Sequence, residues 1–135
     1  MSMIMAVSMT QAQKLNEKEV PAAVKTTFHK NYPNVKTVKW EKEKGDFEAG
    51  FKVNNVETSV LLDKAGAILE TETEIKIQEL PAEARAYVEK NHKGHKIKEA
   101  SKITNNKGEV TYEAEVNGKD LIFDPQGKFL KEVKD

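Results

Sequence analysis

At 135 residues the chain fits one domain, or two half-domains sharing a core, and it holds no cysteine, which excludes disulfides and thiolate chemistry. Its 22 lysines and arginines balance 22 aspartates and glutamates, and Arg85 is the sole arginine. That balance argues against a dedicated nucleic-acid binder, which neutralises phosphates with a basic excess and reads them through arginine, and no apolar run approaches the length of a membrane span.

All four methionines (Met1, Met3, Met5 and Met9) fall in the first nine residues. Met3–Val7 is a short apolar stretch, and Thr10-Gln11-Ala12 has small residues at the spacing that a signal peptidase reads, with cleavage after Ala12. Residues 1–12 are therefore expected to be the tail of a secretory signal peptide, lacking its basic start, or else a frayed N-terminus. No cysteine follows the apolar stretch to carry a lipoprotein anchor.

From residue 13 onward the chain reads as two versions of one unit, 13–76 and 77–135. Val20, Ala23, Val24, Thr27 and Phe28 recur at helical spacing and put one apolar stripe on a helix of about three turns. Pro21 fits the first helical position, and Pro33 stops the helix past Asn31. The period then changes to two. Val35–Glu43 is a weakly patterned first strand. In the next, Phe47, Ala49, Phe51 and Val53 alternate with Glu48, Gly50 and Lys52, as in a strand with one face inward and one wet. Asn54-Asn55 suits a two-residue hairpin. Strands Val56–Leu62 and Ile68–Ile75 follow, joined by the turn Asp63-Lys64-Ala65-Gly66.

The second unit repeats the order: Leu80-Pro81-Ala82 for Val20-Pro21-Ala22, Lys90-Asn91 for Lys30-Asn31, Asn117-Gly118 for Asn54-Asn55, and Asp124…Gly127 for Asp63…Gly66. Leu80, Ala84, Tyr87 and Val88 make its helical stripe, and Gly94 ends that helix. Ile97–Ile103, Val110–Val116, Lys119–Phe123 and Phe129–Val133 are its strands. The fold class is α+β, with helices segregated to one sheet face.

Val/Leu-Pro-Ala, Val38-Lys39-Trp40-Glu41, Gly45-Asp46-Phe47-Glu48-Ala49 and Asp63-Lys64-Ala65-Gly66-Ala67-Ile68, in that order and spacing, resemble the PepSY-like family of exported, β-lactamase-inhibitor-like (BLIP-like) bacterial proteins. The resemblance covers both repeats. It implies one antiparallel sheet of about eight strands with helices on one face, and a periplasmic or secreted location. It also implies a non-catalytic module that grips a protein, such as a peptidase or other envelope enzyme, through the open sheet face. The inhibitor that gives the family its name contains disulfides, which this chain cannot form. A pocket between helix and sheet, serving a small-ligand carrier or an enzyme, and a structural envelope role are the other classes.

The residues supply candidate anchors for such a face. Trp40 shares parity with Val38, which favours the core; on the open face it would anchor a partner. Glu48, Lys52, Thr111, Glu113 and Glu115, with Glu70 and Glu72, are read as an exposed charged face, either simply solvated or complementary to a partner. His92 and His95 straddle a helix end with Lys93-Gly94 between them and read as a solvated loop, with His29 far off in sequence and a third ligand lacking. Asp63…Gly66 and Asp124…Gly127 read as β-turns, since each offers one aspartate where a calcium loop needs several oxygens. No Ser-His-Asp arrangement or phosphate-cradling glycine loop is present, so no catalytic, metal or cofactor residue is expected.

Overall fold

The computed structural model describes residues 13–134; the expected signal-peptide remnant lies outside them. Strands β1 (Gln13–Leu15), β2 (Lys39–Glu43), β3 (Asp46–Val53), β4 (Val56–Leu62) and β5 (Ile68–Ile75) accompany helix α1 (Ala22–Asn31), and β6 (Ile97–Asn105), β7 (Val110–Val116), β8 (Lys119–Phe123) and β9 (Phe129–Lys134) accompany helix α2 (Ala82–Asn91). Strand order in the sheet follows chain order from β1 to β9. The registers are antiparallel. The sequence reading lacked β1, whose three residues pair with Glu41 and its neighbours and are too few to show a period. The chain divides into two compact units after Glu72.

In the first unit, Val24 and Phe28 of α1 pack onto Trp40, Phe47, Ala49, Phe51, Val60 and Leu62. Phe28 sits at the centre, edge-on to Trp40 at 5.4 Å and to Phe51 at 5.0 Å between ring centroids, an arrangement that aromatic quadrupoles favour. Tyr32, just past the helix, lies 4.7 Å from Phe51, and Val35 packs on the same cluster. In the second unit, Ala84 and Val88 of α2 meet Ala100, Ala114, Val116, Leu121 and Phe123. Tyr87 stacks on Phe129 at 4.6 Å.

The helices start one residue later than the sequence suggests. Pro21 and Pro81 have extended ψ angles of 145° and 142° and stand at the N-cap. There each proline carbonyl accepts two helical amides, those of Val24 and Lys25 or of Ala84 and Arg85, and the missing proline N–H costs nothing. The Asp63 and Asp124 turns also repeat. In each, one carboxylate oxygen accepts two backbone amides at 2.9 Å, from Ala65 and Ala67 or from Gln126 and Lys128. These aspartates brace turns. Gly66 and Gly127 close them at φ +91° and +95°. A β-carbon would fall 2.6 Å from the Ala23 carbonyl oxygen at Gly66 and 2.8 Å from the Ala84 amide nitrogen at Gly127, so each turn presses directly on its helix.

Candidate functional site on the helix-free strand faces

Strand alternation assigns each side chain to a face. In the first unit, Trp40 pairs with Ala49 on the helix side. Trp40 is 4% exposed and belongs to the core cluster. It is therefore no surface anchor: its indole fills the space beside Phe28, as its parity with Val38 implies. Between α1 and its strands, the ring of Phe28 packs edge-on against those of Trp40 and Phe51.

Glu48 occupies the other face, between Glu41 on β2 and Leu61 on β4. The expected exposed charge is absent: Glu48 is 1% exposed. Its strand lies between two others, and its row is capped by long side chains on both sides. Neither carboxyl oxygen completes a well-formed hydrogen bond. Burial pushes the carboxyl up to about 8, aided by the negative fields of Glu41, Glu43 and Glu70 and opposed slightly by the nearby Ser59 hydroxyl. Glu43, on the same face opposite Asp46, is also raised, by burial and then by Glu41. Lys52 does remain exposed, in a 3.8 Å ion pair with Glu57.

In the second unit the corresponding face carries Thr111, Glu113 and Glu115 along β7. Glu113 is 0% and Glu115 4% exposed, and Thr111 is half-buried. The expectation of an exposed charged face is thus corrected here too. Glu113 lies between Ser101 and Ile122, and Glu115 between Glu99 and Asp120. Ile103 and Ile122 are buried on this same face, outside the cluster under α2. Of the remaining expected face residues, Glu72 is buried and Glu70 half-buried. In each unit this face holds acids, hydroxyls and aliphatics; of the candidate residues Lys52 is the one fully exposed, with Thr111 and Glu70 half-buried.

One signal in the sequence announces this. Val60-Leu61-Leu62 and Leu121-Ile122-Phe123 are runs of three apolar residues, and such runs mark strands covered on both faces.

The other candidate residues stay apart from this face. His92 caps α2, 6.2 Å from the Tyr87 ring, and His95 is exposed. Among the described residues, no three His, Cys, Asp or Glu side chains form a group able to hold a metal ion. No helix among them is long and apolar enough to cross a membrane.

A helix laid on one face of a β-meander, built twice in one chain, with acids packed into the strands' other face, defines an α+β tandem-repeat protein of the β-lactamase-inhibitor-like class. The chain belongs to the family described as "Putative beta-lactamase-inhibitor-like, PepSY-like", whose model matches it over residues 6–70 and again over 53–131. Among solved structures it is similar to a BLIP-like protein from Bacteroides fragilis, at 26% identity and a TM-score of 0.65 over 84% of this chain and 86% of that one. It also shares its fold with a protein from Bacteroides eggerthii described as "putative periplasmic", at 17% identity and a TM-score of 0.76 over 85% of this chain and 88% of that one. A DUF2874 family protein from Bacteroides uniformis is similar at 20% identity and a TM-score of 0.74, over 84% and 88% of the two chains. No curated protein matches the chain.

Proposed function

We propose that this protein is an exported, non-catalytic binding module that engages a protein partner, such as a peptidase or another envelope enzyme, through the helix-free faces of its strands. The observation that carries this reading is the burial of Glu48 without a well-formed hydrogen bond. A face kept merely soluble needs its charges in water. Withdrawing a carboxylate from water lowers stability, and such withdrawn, shifted groups concentrate at functional sites. Family membership supports the inhibitor-like class, and the periplasmic description of the B. eggerthii protein supports export. In this reading Lys52 and Thr111, on the same strand faces, make the first contacts, and Glu48, Glu113 and Glu115 are the acids that a partner's cationic side chains reach once their neighbours part.

Immobilised full-length protein, exposed to an envelope extract of its host, tests this. The Lys52→Glu/Thr111→Lys variant should lose a retained protein by about tenfold or more, while Lys30→Glu, on the exposed side of α1, should keep it. Equal retention by all three proteins would overturn the reading.

A further inference from the structure

The two repeats differ where the helix ends. In the first unit, Tyr32 and Val35 fold back over the core: Tyr32 lies against Phe28 and Phe51, and Val35 packs on the same cluster. Sixty residues on, at the matching positions, stand His92 and His95. Two side chains that cover the core have become two imidazoles, of which His92 stays half-buried, 6.2 Å from the Tyr87 ring, and His95 is exposed. An open groove of about 430 Å³ lies there, within the second unit. Its apolar lining is Val88, Ile77 and Ile97, and its charged wall is Arg85, Lys93 and Lys96 with the single carboxylate Glu89. A neighbouring depression of about 490 Å³ shares Glu89, Lys93 and Gly94 and adds Lys90.

Helix polarity explains part of this charge, since cations suit a helix C-terminus. Lys90, in the last turn of α2, fits that account. Arg85 does not, because it sits in the first half of α2, and Lys96 lies beyond the turn that follows the helix. Arg85 is also the chain's one arginine, the side chain best suited to grip carboxylate or phosphate with paired donors. Its Nε donates to the Leu80 carbonyl at 3.4 Å, which ties the guanidinium to the start of the helix.

We propose that this groove binds a small organic anion: a carboxylate or phosphate held by Arg85, Lys93 and Lys96, carried on a short apolar group that lies over Val88, Ile77 and Ile97 between the two imidazoles. The ligand completes in the second unit what Tyr32 and Val35 complete in the first. This site is separate from the helix-free faces and stands or falls independently of the partner-binding role.

Titration of the ¹⁵N-labelled full chain with hexyl phosphate and hexanoate tests it. The amides of Gly94, His95 and Ile97 should shift and saturate, at a Kd about tenfold or more below that of inorganic phosphate, while hexylammonium leaves them unmoved. Arg85→Gln/Lys96→Gln, at exposed positions, should weaken binding about tenfold. His92→Tyr/His95→Val restores the first unit's plug; it should abolish binding while its thermal midpoint stays at or above that of the parent. Should that variant fail to fold, the Arg85/Lys96 pair decides. Absence of saturable shifts up to about 10 mM, inorganic phosphate binding as tightly as the alkyl anions, or binding unaffected by the substitutions would each overturn the proposal.

Discussion

Glu48 is the residue whose state most affects the first unit. Its carboxyl titrates near 8 in the folded protein against an ordinary 4.5, so the folded form holds a proton that the unfolded form releases. Stability is fully present below the unfolded value and falls as pH rises from about 4.5 through 8. The gap corresponds to at most about 5 kcal/mol. Glu48→Gln keeps the shape and removes the charge. Its thermal midpoint should match the parent's near pH 4 and exceed it by about 4 °C or more at pH 9. A midpoint that tracks the parent's at both pH values would mean that Glu48 stays ionised and solvated.

Among the elements, the turns fix where each helix sits. Gly66 combines a left-handed φ with the Ala23 carbonyl where a β-carbon would be. Gly66→Ala should therefore cost about 2 kcal/mol or more, read as a lower urea midpoint with unchanged slope. Gly45→Ala has the strained φ without the collision and should cost less than Gly66→Ala. The urea midpoints of the two variants test the role of the close approach.

Legibility also divides at this scale. The helices, the hairpins and both aspartate turns are local features, written in spacing and turn chemistry, and the repeat reads each of them twice. The site residues are different. Their alternation assigns Glu48 and Glu113 correctly to the face away from the helix, but alternation says which way a side chain points and nothing about what stands beside it. Register supplies that, by placing Glu41 and Leu61 around Glu48 and Ser101 and Ile122 around Glu113, and register joins residues distant in sequence. The groove at the end of α2 was within reach of the sequence. Aligning His92 with Tyr32 and His95 with Val35 shows two side chains that pack on the core in the first copy replaced by imidazoles in the second.

For the whole molecule, a formal charge of +0 and a sequence pI of about 6.9 assume that every carboxylate ionises normally. Glu48 retains its proton near neutrality and Glu43 is shifted the same way. The native protein is thus more positive at pH 7 than its composition states. Isoelectric focusing should place the native band above the band of the same protein in urea, and coincident bands would refute the shifts.

The contrast between crowded and open glycines also sorts the loops by what can be attached to them. Gly127 has a helix amide within 2.8 Å of a would-be side chain, whereas at Gly118 nothing lies within 4 Å. The Asn117-Gly118 hairpin is therefore the place for a dye, an affinity handle or a tether to a surface, and the Asp124–Gly127 turn is where such a graft would pry the helix from its strands.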